Sequence, residues 1–182
     1  FAIVSTAFGV HLSELKKAGL AGVVSIFAGV IVSFVVGAAV AVAFGYTDPI
    51  AITTIGAGAV TYIVGPVTGE AIGASGEMIT LSVAAGLVKS ILVMIGTPLV
   101  ASSIGLNNPQ SAMVFGGLMG TTSGVAAGLA ATDPKLVPYG AMTATFYTGV
   151  GCLLGPSVLF FAVSALFSSR LTTPSHILID PV

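Results

Sequence analysis

Residues 62–73 read YIVGPVTGEAIG. They lie in an apolar run from Ile50 to Ala74, yet their middle is Gly65-Pro66-Val67-Thr68-Gly69. Proline lacks the N–H that a helix interior uses, and its ring clashes with the turn before it. Glycine weakens what is left. A helix is expected to break here, with Glu70 directly beyond the break. A second stretch, Gly120-Thr121-Thr122-Ser123-Gly124, repeats the theme with hydroxyls in place of the proline.

The surroundings give these breaks their meaning. Hydrophobic residues make up 55 % of the chain and charged residues 6 %, with a mean hydropathy of +1.12. A water-soluble domain carries about a quarter charged residues, so this chain is read as a helical integral membrane protein. The net charge of −1 comes without a basic patch, which leaves no footing for nucleic acid. The single Cys152 rules out an internal disulfide and a multi-cysteine metal site. With no tryptophan, an aromatic belt rests on Tyr and Phe. The chain starts at Phe1 in apolar sequence and without a signal-peptide pattern. It is therefore expected to lack an N-terminal part of a longer subunit. Residues 171–182 are expected to form an extramembrane tail.

Charges and turn signals divide the rest. Leu20–Phe44, Met78–Ile104 and Leu136–Phe167 each contain a run long enough to cross a hydrocarbon core of about 30 Å. Lys89 sits near the middle of the second run. Between them lie the broken segments Ile50–Ala74 and Ser111–Thr132. Each has an apolar arm, a Gly/Thr-rich break and a shorter Ala/Gly arm ending at an acidic residue. Each is followed by a span with a Gly-Pro element, Gly96-Thr97-Pro98 or Gly155-Pro156. This is an internal repeat of pattern, with units at 50–104 and 110–167. An arm of about 10–14 residues rises about 15–20 Å, half the core. Each broken segment is then either a re-entrant hairpin or one crossing helix unwound at mid-depth. Hairpins make the tandem units an inverted repeat with tips meeting near the midplane; crossing helices make them parallel. The hairpin form is the expectation. It predicts an all-α membrane bundle of the secondary-transporter, elevator-like kind, in one transmembrane domain over residues 1–170. Gly56, Gly58, Gly116 and Gly117 read instead as close-packing surfaces.

A helix that starts inside the membrane presents free N–H groups and a positive dipole end, which suit a carboxylate or phosphate. Thr68, and Thr122 or Ser123, stand where an N-cap is expected. The expected substrate contacts are Thr68, Gly69, Lys89, Thr121, Thr122, Ser123 and Gly124. Unwound carbonyls at the same breaks suit sodium, at Gly65, Val67 and Gly120, with Glu70 beside them. Lys89 costs about 2.5–3.5 kcal/mol at a bilayer centre. It is either a charge partner for a carboxylate or for Glu70, or a snorkelling or structurally paired lysine. Glu70 has its own bland reading, as a first-turn carboxylate held by backbone N–H groups. Asp48, Glu77, Asp133 and Lys135 mark segment ends. His11 and His176 lie in polar flanks, Cys152 reads as a packing residue, and Tyr139 and Tyr147 as interface or lining residues. No Ser-His-Asp set, carboxylate pair or phosphate loop points to an enzyme, a transition-metal site or an organic cofactor. Lys16, Lys17 and Lys135 fall on one side in either topology, the cytoplasmic one by the excess of positive charge, and Arg170 falls opposite.

Two blocks are long and specific. TTIGAGAVTYIVGPVTGEAIGAS (53–75) and NNPQSAMVFGGLMGTTSGVAAGLAATDPKLVPYGAMTATFYTGVGCLLGPS (107–157) resemble the larger membrane subunit of bacterial malonate transporters, the MadM type, within a likeness running from about Phe1 to Phe161. The resemblance implies sodium-coupled malonate uptake across the bacterial inner membrane, by a multi-pass subunit working with a smaller MadL-type membrane subunit. A higher oligomer stays open. A more distant likeness to the LrgB/CidB family falls at Val67–Gly69 and Gly120–Ser123. It implies a rival within transport, an exporter or uptake system for another small carboxylate such as pyruvate. The rival from another class is a non-transporting membrane subunit, a scaffold or holin-like pore former.

Overall fold

The computed structural model describes residues 12–168, and all regular structure in them is helical. Helix α1 covers Leu12–Ala43 and kinks at Gly19, whose φ of 68° favours glycine. Lys16 and Lys17 precede that kink. Helices α2 (Pro49–Val60) and α3 (Val64–Ile72) form the first broken segment, and α4 (Gly76–Val100) follows. Helices α5 (Pro109–Met119) and α6 (Thr122–Ala130) form the second. A 3-10 turn at Pro134–Leu136, α7 (Val137–Leu154), a π-helical stretch at Gly155–Leu159 and α8 (Phe160–Ser168) complete the chain. Gly19–Ala43, Gly76–Val100 and Pro134–Phe167 are long and apolar enough to cross a membrane. His11, Arg170, His176 and the tail lie outside the described residues.

The helix starts are written locally. Asp48-Pro49, Asn108-Pro109 and Asp133-Pro134 each place a side-chain oxygen on an amide two or three residues ahead, at Ala51, Ser111 and Lys135. Each also puts proline at the first helical position, where its missing N–H needs no partner.

The breaks fall elsewhere than the glycines and proline suggest. The first lies at residues 61–63, one turn before Gly65-Pro66-Val67-Thr68-Gly69, and that stretch is helical. Pro66 sits in the first turn of α3, where helices tolerate it. The capping hydroxyl is Thr61, not Thr68: its Oγ1 accepts from the amides of Ile63 at 3.2 Å and Val64 at 3.0 Å. The second break is confined to Gly120, with φ +71°, and Thr121. Thr122 and Ser123 are already in the first turn of α6, so Thr121 holds the N-cap position. The two Gly-Pro elements also differ. Pro98 lies inside α4, which continues through it, whereas Gly155-Pro156 opens the π stretch.

Close contacts set the direction of each arm. Gly65 lies against Gly58 and Gly69 against Thr54, so α2 and α3 run antiparallel, as a hairpin. Gly58 meets Ser82 and Tyr62 meets Gly86, so this hairpin enters from the N-terminal end of α4 and stops beside its middle. Gly140 on α7 touches Ala112 on α5 and Leu129 on α6, while Gly120 touches Tyr147. The second segment is therefore a hairpin too. Gly124 lies against Ser90 and Gly128 against Thr97, so α6 runs from the middle of α4 towards its C-terminal end. The hairpins open in opposite directions, and their tips stand one turn apart along α4, at Gly86 and Ser90. Each has its own apolar core: Ile52, Val60, Val64 and Tyr147 around the first, Phe115, Val125 and Leu129 around the second.

Helices α1 and α4 scarcely touch. Between them runs a groove of about 1370 Å³, walled by Val36, Val40, Leu92 and Val100 and floored by Ala59 and Phe115.

Candidate functional site

The middle of α4 serves both tips. Lys89 turns one way, and its Nζ donates to Ser33 Oγ at 2.9 Å, to the Val60 carbonyl at 2.9 Å and to Tyr147 Oη at 3.2 Å. All three partners are uncharged. Val60 is the last residue of α2, so its carbonyl is one of those a helix end leaves open, at the negative end of the helix dipole. The ammonium also stands 5.1 Å from the centre of the Tyr147 ring, a cation–π distance. Tyr147 Oη passes its own hydrogen to the Gly29 carbonyl at 3.2 Å. One lysine thus joins α1, α2, α4 and α7 where the first arm of the first hairpin ends.

The next residue turns the other way. Ser90 Oγ and Thr121 Oγ1 share a short hydrogen bond. The Thr121 hydroxyl thus turns to α4, and α6 begins without a side-chain cap. Thr122 is half-buried and Ser123 exposed at this level, and Gly124 is packed on Ser90. Helices α3 and α6 both start near the middle of α4 and run apart, so their N-terminal ends point towards each other. The tips they start from are offset by about 6 Å along α4, four residues at about 1.5 Å each. The described acidic side chains Asp48, Glu70, Glu77 and Asp133 all stand near the outer ends of helices. The C-terminal end of α2 has a cation; the facing N-terminal ends have no anion from these residues.

The sequence-predicted residues sort accordingly. Lys89, Gly120, Thr121, Thr122, Ser123 and Gly124 come together around the tips. Gly65 lies one turn past the first tip, buried, with its N–H on the Thr61 carbonyl at 3.2 Å. Val67 is 41 % exposed. Thr68 is buried against Gly155, and Gly69 against Thr54 and Ile79. Glu70 is exposed in the last turn of α3, away from the tips. Ser33 and Thr61 were not marked by sequence, and Tyr147 only as an interface or lining residue. Thr61 had a local signal, a threonine one turn before a Gly-Pro pair. Ser33 and Tyr147 reach Lys89 from 56 and 58 positions away, and no local pattern marks them.

Compared with known families, residues 1–167 match the model for the malonate/sodium symporter MadM subunit. No curated protein and no solved structure matches the chain.

Proposed function

The chain belongs to the family of malonate/sodium symporter MadM subunits, and from that premise we propose that it moves malonate with sodium across the bacterial inner membrane, beside a smaller MadL-type subunit. The observation that carries this reading is the uneven treatment of the helix ends at the centre. Lys89 meets the negative end of α2, while the positive ends of α3 and α6 point towards each other with none of the described acidic side chains between them. A small dianion supplies the missing charge. One carboxylate takes the free amides of Thr122, Ser123 and Gly124 and the hydroxyls of Thr122 and Ser123. The other lies towards the first tip. Lys89 acts from behind the tips, since its three hydrogens are already placed. The opposed hairpins support an inverted repeat over 50–104 and 110–167. They also support an elevator-like motion in which the tips travel together. The partner subunit covers the apolar groove between α1 and α4, which a dianion would otherwise have to enter through lipid.

The deciding experiment is uptake of labelled malonate into liposomes holding both subunits, under an imposed sodium or potassium gradient. Saturable uptake driven by sodium alone is expected. No saturable uptake, or equal uptake in potassium, overturns the reading. Thr122→Val combined with Ser123→Ala is expected to raise the malonate KM about tenfold, the order of one or two lost hydrogen bonds to a charged group. An unchanged KM places the substrate elsewhere.

A further inference from the structure

Most helical threonines in this chain fold back. Thr54, Thr80, Thr97, Thr145 and Thr148, and Thr132 just past the end of α6, each donate to the carbonyl four residues earlier. Two that lie deep in the bundle do not. Thr53 Oγ1 and Thr68 Oγ1 are fully buried and have no hydrogen-bond partner. A buried hydroxyl left unpaired costs about 1–3 kcal/mol, so two of them together call for an explanation.

They are neighbours by construction. Thr54 and Gly69 meet across the first hairpin. Thr53 and Thr68 each come one residue earlier on antiparallel helices. A step of one residue turns both to the same side of the pair and, because the helices run oppositely, offsets them by about 3 Å in height, two rises of about 1.5 Å. On that side lies the π stretch, which touches both α2 and α3. Thr68 Oγ1 faces Gly155 there, and any side chain at 155 would run into the hydroxyl. Glycine keeps the space open. Pro156 adds oxygen: it has no N–H, so the Cys152 carbonyl loses its ordinary helical donor. Single π turns inside α-helices often mark functional positions.

We propose that Thr53 and Thr68, with the Cys152 carbonyl that Pro156 leaves without its helical donor at the start of the π turn, form a sodium site buried between the first hairpin and the last span. The oxygens are neutral. Calcium and magnesium sites draw on carboxylates, and the nearest acidic residue in sequence, Glu70, is exposed; a monovalent hard cation fits the set. The site lies two turns from the first tip, on the helix whose N-terminus faces the substrate region. Filling it fixes α3 against the π turn. The inference rests on the sodium coupling proposed above and names a place for it.

The test uses the purified two-subunit complex and reads thermal stability in sodium against potassium chloride, beside malonate uptake. Thr53→Val and Thr68→Val keep shape and remove the hydroxyls. In potassium both are expected to melt at or above the wild-type temperature, because an unpaired hydroxyl is lost. In sodium the wild-type upward shift is expected to shrink or vanish, with the half-saturating sodium concentration raised at least tenfold. Thr53→Ser and Thr68→Ser are expected to restore the shift. A wild-type complex with no sodium shift, or Val variants that respond like wild type, overturns the site; a water molecule alone would give the latter result. Loss of sodium-driven uptake with the shift intact would instead tell against the transport reading and leave the site standing.

Discussion

Lys89 is a charge that the fold has placed rather than tolerated. Its stem runs along apolar walls, and its head meets three neutral oxygens from three other helices. Lys89→Met leaves the Val60 carbonyl, Ser33 and Tyr147 without their shared donor. Hydrogen bonds to charged groups contribute about 1.5–3 kcal/mol each, so the variant is expected to lose several degrees in melting temperature and at least tenfold in uptake rate. Tyr147→Phe removes one partner of three and should lie between wild type and Lys89→Met in both readings. Equal behaviour of Lys89→Met and wild type in uptake would make the lysine an ornament of packing. The lysine itself was legible as the only basic residue deep in a span. Its role was not, because the partners that define it sit on α1, α2 and α7.

At the scale of elements, the glycines of α4 give a sharp internal comparison. A Cβ at Gly86 would collide with the backbone of Tyr62 and Gly58, whereas a Cβ at Gly96 meets nothing within 4 Å. Gly86→Ala must push the first tip off α4 and is expected to cost about 2–4 kcal/mol, a strain of overpacking size. Gly96→Ala is expected to be neutral or to stabilise by up to about 1 kcal/mol, the helix-propensity gain. Melting curves of the two variants settle the difference, and comparable losses would mean that the tip does not rest on Gly86. The same helices show what the sequence could convey. The Asx-Pro pairs, read as segment ends, turn out to start helices through side-chain caps that act within three residues. The N-caps expected at Thr68 and at Thr122 or Ser123 fall instead to Thr61 and Thr121. The existence of two breaks was readable, but the first was placed a turn late. Pro66 was taken as the breaker, although proline in a first turn breaks nothing, and the true interruption follows from Thr61 capping Val64. The unpaired Thr53 was invisible in sequence, since its lack of a partner depends on what α3 and the π turn bring beside it.

For the whole molecule, the helix directions put the Tyr46–Asp48 and Gly73–Ser75 connections at one end of the bundle. The Leu106–Asn108 and Asp133–Leu136 connections lie at the other. Asp48, Glu70 and Glu77 gather at the first end, and Lys135 at the second, the same side as the α1 kink at Gly19 that Lys16 and Lys17 precede. Positive charge marks the cytoplasmic face. Cysteine placed at Asn107 in a Cys152→Ser background is therefore expected to react with an impermeant thiol reagent only from the cytoplasm, and cysteine at Ala74 only from outside. The reverse pattern would invert the whole assignment. Broad architecture was legible because apolar run length and end charges are properties of the chain itself. The opposed hairpins needed contacts between Gly58 and Ser82 and between Gly128 and Thr97, which lie tens of residues apart. The groove between α1 and α4 was not legible, because it records what those two helices fail to do. Among the described residues nothing fills that slot, so its apolar walls are open to acyl chains or detergent tails when the chain is produced by itself. Choice of surfactant and co-production with its companion, more than the soundness of the individual helices, then govern which preparations stay monodisperse enough to reconstitute.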